Sequence, residues 1–144
     1  MSAAPPLPNV DYLEHKAFWE ATRNRRIEVQ KCAQCGSLRF PPRPSCTRCG
    51  SMEHAWVEVA GKGTLFSWTV THVAMHPAFA SAVPYAVGVV ELSGGEGVRM
   101  LGRVVNADPA QLRTGMALRA VFEPSTDERV VLVNWEPDRD AVGA

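Results

Sequence analysis

The chain has 144 residues, 46% of them apolar and 21% charged, with 15 Lys plus Arg set against 15 Asp plus Glu. That length fits one domain or two small modules, and a composition near the globular average excludes a disordered, collagen-like or polyelectrolyte chain. Zero formal net charge also argues against a protein that depends on a strongly basic surface to hold nucleic acid or an anionic membrane.

Residues 1–10 are Pro-rich and read as a flexible tail; they carry neither the basic segment nor the apolar run of an export signal, which makes a cytoplasmic location the expectation. Residues 11–30 read as an N-terminal helix and a lead-in strand. Asp11 and Glu14 make a D-x-x-E variant of a capping box, good helix formers run to Ala21, and Asn24 stops them. So short a helix is marginal alone and has to dock through Phe18 or Trp19. The alternation at 27–30 then leads into Cys32.

Residues 31–55 hold two cysteine pairs and read as a metal-binding ribbon. From 56 the periodicity changes to two, with strand-like runs at 56–59, 63–73, 85–92, 98–105, 116–123 and 130–135. Turn signals fall at 93–97 and 125–128, and Asp108 followed by Pro109 starts a short helix after the third barrel strand. About five strands in this arrangement predict an OB-type barrel over 56–136, followed by a tail at 137–144. The 28 residues from 63 to 90 contain no Asp, Glu, Lys or Arg, yet His72, His76, Pro77, Pro84 and five Ser or Thr break the run, so no membrane span is expected.

The strongest chemical signal is Cys32-Ala33-Gln34-Cys35-Gly36 and, ten residues later, Cys46-Thr47-Arg48-Cys49-Gly50. Two Cys-x-x-Cys-Gly knuckles supply four thiolates to one tetrahedral ion, and each following glycine allows the backbone to turn through positive φ. Zinc is favoured, with iron using the same ligands as the alternative. Four protein ligands leave no open position, so the ion is structural. Residues 21–50 carry seven basic side chains against Glu28 alone, a net +6. Either they balance the negative charge of a tetrathiolate centre, or Arg39, Arg43 and Arg48 recognise phosphates on nucleic acid or on the nucleotide end of coenzyme A. His72 and His76 sit where i, i+4 spacing makes no metal face. There is no Gly-x-Ser-x-Gly, Walker or Rossmann fingerprint, and the cysteines are committed to metal, so no catalytic residue is assigned. The stretch 74–84 is a long, largely apolar loop of the kind that contacts partners, unless the chain's own helix near Phe18 and Trp19 covers it.

The order of Phe18-Trp19-Glu20, Arg26-Ile27, Lys31-Cys32 through Cys35-Gly36, Phe40-Pro41-Pro42-Arg43, Cys46 through Gly50, Gly63-Thr64, His76-Pro77-Ala78-Phe79 and Pro84-Tyr85 resembles a family of acyl-CoA-associated proteins. The resemblance spans residues 12–136. It implies a mainly β fold with an N-terminal helical segment, a rubredoxin-like zinc ribbon and a C-terminal OB-fold barrel. It further implies a noncatalytic accessory subunit of a thiolase-superfamily enzyme: a thiolase, an acyltransferase or a steroid side-chain aldolase. The partner would supply the chemistry and share an acyl-CoA substrate, with Trp19, Met75, His76, Phe79 and Val83 as candidate partner contacts. The competing reading is a nucleic-acid-binding zinc-ribbon and OB module, in which Phe66 and Trp68 alternate onto one strand face as a stacking platform. Against it, residues 63–144 hold six basic and nine acidic side chains, a net −3.

Overall fold

The structure is a computed structural model that describes residues 3–141. Residues 1–2 of the first expected tail and 142–144 of the last lie outside the described residues. The regular elements are α1 (Lys16–Arg23), β1 (Ile27–Cys32), β2 (Leu38–Arg39), β3 (His54–Val59), β4 (Lys62–Thr71), β5 (Tyr85–Leu92), β6 (Arg99–Val104), β7 (Ala117–Pro124) and β8 (Val131–Pro137). Short 3-10 turns cover Pro77–Phe79 and Pro109–Gln111. No helix among the described residues is long and apolar enough to cross a membrane.

The first helix starts later than its capping-box signal. His15 occupies the N-cap without a side-chain hydrogen bond. The Asp11 carboxylate is used elsewhere, accepting from Arg129 Nη1 at 3.1 Å. Asn24 ends the helix as the sequence indicates: its backbone N–H donates to the Ala21 carbonyl and the Arg25 N–H to the Thr22 carbonyl, each at 2.9 Å. Buried Phe18 sits with its ring centroid 5.1 Å from that of Phe40, which ties the helix to the ribbon.

A three-stranded antiparallel sheet, in the order β2-β1-β3, forms the ribbon. The strand at 56–59 belongs to this sheet, because β3 pairs along the whole of β1, from Ile27 opposite Val59 to Cys32 opposite His54. Phe18, Ile27, Val29 and Val59 are continuous with the barrel interior, so helix, ribbon and barrel share one core. Removing that apolar surface from water is what keeps three small pieces together.

The remaining strands close a barrel in the order β4-β5-β6-β8-β7, the five-stranded architecture expected of an OB fold. The 3-10 turn at Pro109–Gln111 follows the third barrel strand, and Asp108 caps it by accepting from Ala110 N–H at 2.9 Å. Along β5, burial alternates residue by residue, with Ala86, Gly88, Val90 and Leu92 facing inward. Trp135 is fully buried at the centre. Gly102 makes room for it: a Cβ there would lie 2.7 Å from Trp135 Cδ1 and 2.8 Å from the Val133 carbonyl oxygen.

One reading of β4 is corrected. The register with β5 shifts between Leu65 and Ser67, so an extra residue is accommodated at a β-bulge. Leu65 is buried and Trp68 packs against the core, whereas Phe66 is turned outward and 47% exposed. Phe66 and Trp68 therefore do not share a face. The Arg99 guanidinium lies over Phe66 instead, 3.7 Å from the ring centroid.

The C-terminal segment is anchored past β8. Asp138 is buried and accepts an ion pair from Lys62 Nζ at 3.1 Å. The Lys62 hydrogen bond holds the Asp138 carboxyl below its ordinary value. A lowered native pKa contributes stability above the unfolded carboxylate pKa and loses it as pH falls through the native one. Lys62→Met is expected to destabilise the protein at neutral pH, with the difference from wild type narrowing on acidification; urea midpoints measured across pH check this. Gly102→Ala is expected to cost about 1–3 kcal/mol by overpacking against Trp135, read from the same urea transitions.

Candidate metal centre and arginine groove

Two similar local structures build the metal centre. In the first knuckle Gly36 N–H donates to the Cys32 carbonyl at 3.0 Å, and Cys32 N–H to the Ser37 carbonyl at 2.9 Å. The second repeats this, with Gly50 N–H to the Cys46 carbonyl at 2.9 Å and Cys46 N–H to the Ser51 carbonyl at 2.8 Å. Both turns need the left-handed backbone that glycine adopts freely: φ is +75° at Gly36 and +78° at Gly50. Amides are thereby aimed at sulfur. Cys35 N–H reaches Cys32 Sγ and Arg48 N–H reaches Cys46 Sγ, each at 3.4 Å.

The strand β1 delivers Cys32 to the sheet end, and the following loops bring the other three to it. All four Sγ atoms lie within 4.8 Å of one another, with 3.5 Å between Cys32 and Cys49 and 3.6 Å between Cys35 and Cys46. A zinc ion bound at about 2.3 Å from each sulfur sets neighbouring sulfurs roughly 3.8 Å apart, so the set fits. Cys32 and Cys46 are buried while Cys35 and Cys49 are exposed.

Hydrogen bonds within the cluster set its thiols apart. The Ser37 hydroxyl, together with the amides of Cys49 and Arg48, pulls the Cys46 thiol down to about 5. Although the Ser51 amide donates toward Cys49, sharing a proton with Cys32 pushes that thiol up to about 11. Four sulfurs this close do not all ionise without a cation among them, and a divalent ion supplies the missing charge. Cys32, Cys35, Cys46 and Cys49 would hold it with no position left for water, so its role would be to brace the ribbon.

The three arginines singled out beside this centre fall into different settings. Arg39 is buried, its Nε donating to Gln30 Oε1 at 2.8 Å and its Nη2 to the Arg43 carbonyl at 3.2 Å. Gln30 Oε1 also accepts from Arg43 N–H at 2.8 Å, so one buried glutamine fixes the 39–43 loop. Arg39 Nη1 is buried without a hydrogen-bond partner among the described residues. Arg39 and Arg43 line a shallow groove of about 360 Å³ between the ribbon and the β5–β6 hairpin, joined there by Thr47 and Arg99. Arg48 does not line that groove. Arg99 was not singled out from sequence; the alternation of Arg99, Leu101 and Arg103 along one strand face was the available signal, and its approach to the ribbon follows from tertiary packing.

The apolar loop is partly covered by its own chain. Phe79 is half-buried, its ring centroid 6.1 Å from Tyr85 and 6.0 Å from His76. His76 Nδ1 accepts from Ala78 N–H at 3.1 Å, capping the 3-10 turn. Val83 is half-buried as well, while Met75 is 92% exposed. Trp19 is not joined to this loop: it lines a small cleft with Val10, Lys16 and Arg129, whereas Phe79 lines a separate cavity beside Pro5 and Leu7.

Comparison with known families matches residues 19–54 to the "ChsH2, rubredoxin-like zinc ribbon domain" and residues 56–123 to the "ChsH2, C-terminal OB-fold domain". A solved structure described as "Ltp2-ChsH2(DUF35) aldolase" superposes with a TM-score of 0.78 at 35% identity, covering 92% of this chain and 98% of that one. The 3-oxo-4,17-pregnadiene-20-carboxyl-CoA hydratase alpha subunit of Mycobacterium tuberculosis is 39% identical over 84% of this chain and 37% of its own length. A DUF35 domain-containing scaffold protein of Methanothermobacter thermautotrophicus is 35% identical over 68% of this chain and 72% of its own. The chain spans about a third of the length of the hydratase alpha subunits it matches.

One equivalent of zinc per chain is expected by elemental analysis of the purified protein. Cys46→Ser, at a buried ligand, should lose the metal and unfold the ribbon, read as lost zinc together with lost amide dispersion for residues 27–57. Less than about half an equivalent of metal in a folded wild-type protein overturns the assignment.

Proposed function

This chain belongs to the DUF35 family that pairs a ChsH2-type zinc ribbon with an OB fold, and from that premise we propose that it is a noncatalytic accessory subunit of a thiolase-like or aldolase complex acting on acyl-CoA thioesters. The observation that carries this reading is the match, along 98% of its length, to the solved chain described as part of an Ltp2-ChsH2 aldolase. The relatives' names point the same way: one is an alpha subunit of a carboxyl-CoA hydratase, another a scaffold protein. In this reading the partner supplies the groups that make or break the carbon-carbon bond.

The chain's own surfaces suit two supporting tasks. The groove of Arg39, Arg43, Arg99 and Thr47 has the donors to take up phosphates of the coenzyme, with Arg39 held in place by Gln30. Arg48 lies outside that groove and is better placed to offset the negative charge of the tetrathiolate ion, its amide already directed at Cys46. Met75, almost fully exposed on a loop without charge, is the side chain that most needs a partner to cover it, with His76, Phe79 and Val83 beside it. The nucleic-acid reading loses its stacking platform, since the bulge in β4 parts Phe66 from Trp68.

Affinity purification from the native host is expected to bring down a thiolase-fold protein, and acyl-CoA turnover should require both subunits. Met75→Asp should weaken the pair at least about tenfold with zinc content and melting temperature unchanged, as expected for an exposed apolar contact at an interface. Arg43→Glu should raise the KM for acyl-CoA in the assembled complex. Turnover by this chain alone, or tight salt-sensitive binding of single-stranded DNA in place of a protein partner, overturns the proposal.

A further inference from the structure

A cavity of about 430 Å³ lies against β6, β8 and β7, away from the ribbon and its arginine groove. Its size is that of a small-molecule site, for which about 300–1,000 Å³ is usual. Two segments outside the barrel sheet complete it: Pro5 and Leu7 from the N-terminal stretch, and Phe79 and Ala82 from the charge-free loop. Leu132 of β8 adds a further apolar wall.

The polar side of the cavity is a row across three adjacent strands. Asn134 on β8 sits in the middle and is buried, although the next residue, Trp135, fills the barrel core. Its Oδ1 accepts from Arg103 N–H at 3.3 Å on one side, and its Nδ2 donates to the Glu123 carboxylate on the other. Both ends of the amide are thus engaged, and Glu123 is held by Asn134 rather than by the cation.

Arg103 is the group left over. Its guanidinium makes no ion pair or hydrogen bond among the described residues, and its Nε is buried with no partner. The guanidinium carbon lies over the Tyr85 ring, 5.0 Å from its centroid. Stacking on an aromatic face leaves the in-plane N–H fork free. A half-buried cation with free donors, set beside apolar walls, is a mismatch that a ligand of opposite charge removes.

We propose that this cavity is a binding site for an apolar monocarboxylate, whose carboxylate takes the free N–H fork of Arg103 and whose hydrocarbon lies against Leu7, Phe79 and Leu132. The site uses none of the ribbon arginines and does not depend on the acyl-CoA reading. A free acid, not a thioester, is its ligand, because the acid carries its negative charge at the end of the hydrocarbon, within reach of Arg103, whereas a thioester carbonyl is neutral there and the coenzyme's phosphates lie at the far end of a long arm.

Sodium octanoate titrated into the zinc-loaded full chain, followed by calorimetry and by amide NMR shifts, tests this. One saturable site is expected, with shifts centred on residues 78–82, 103, 123–126 and 132–134. Octan-1-ol, of equal length without the charge, and Arg103→Gln should each weaken binding by about tenfold or more, the scale set by losing a charge-assisted hydrogen bond. Ala82→Trp, which fills the mouth from the loop without touching the cation, should abolish it and serves as the test should Arg103→Gln fail to fold. No saturable binding, equal affinity for octan-1-ol, or shifts confined to the ribbon overturns the proposal. Failure here leaves partner capture and acyl-CoA turnover untouched, and those are read separately.

Discussion

Four cysteine sulfurs brought within 4.8 Å of one another are the constraint on which the ribbon depends. Such a cluster repels itself when ionised, and hydrogen bonding alone leaves it divided, with the Cys46 thiol held low and the Cys49 thiol pushed up. A divalent ion converts the conflict into attraction and closes two knuckles whose own hydrogen bonds are few. The binding free energy of such an ion, roughly 10 to 16 kcal/mol in small zinc modules, is large beside the stability of a typical domain. A two-stranded pairing such as β1 with β2, only two residues long, would not persist without it.

The ribbon in turn carries the contacts that bind the chain into one unit. β1 starts at Ile27 in the common core and ends at Cys32 in the metal centre, so one six-residue strand links the two sources of stability. Phe18 and Val59 join the same core from the helix and from β3. Arg25 adds a long-range hydrogen bond from its Nη1 to the Phe122 carbonyl at 3.1 Å. The barrel is consequently not an appended module. Strain or loss of metal in the ribbon has a direct path to the apolar interior it shares with β4, β5 and β8.

With both ends so occupied, the free chemistry of the protein is confined to its surfaces. The metal centre has no open position and the barrel interior is filled by Trp135, Leu65, Leu118 and Val90. The surface offers cations in grooves and apolar side chains on a loop, features suited to binding and positioning. This division suits the accessory role proposed above.

The metal centre and the barrel were legible in the residues, because each rests on a local repeat. A Cys-x-x-Cys-Gly knuckle encodes its turn within five residues, and an alternating strand encodes which side is buried within six or eight. The cap at Asp108 and the stop at Asn24 were legible for the same reason. The start of the first helix was not, since Asp11 is drawn to Arg129, 118 residues away, and a competing partner at that distance leaves no mark on the local sequence. The same holds for the bulge that sends Phe66 out and Trp68 in, which is set by the pairing of β4 with β5. Sequence alone thus determined the cysteine set, the approximate number of barrel strands and the charge of the ribbon, but neither the two-residue β2 nor the place of residues 56–59 in the ribbon sheet. Only the tertiary structure decided which arginines stay free, by burying Arg39 on Gln30, bringing Arg99 across from the hairpin and leaving Arg103 without an ion pair among the described residues, because partnership between charges depends on distances through space that the chain's local pattern does not record.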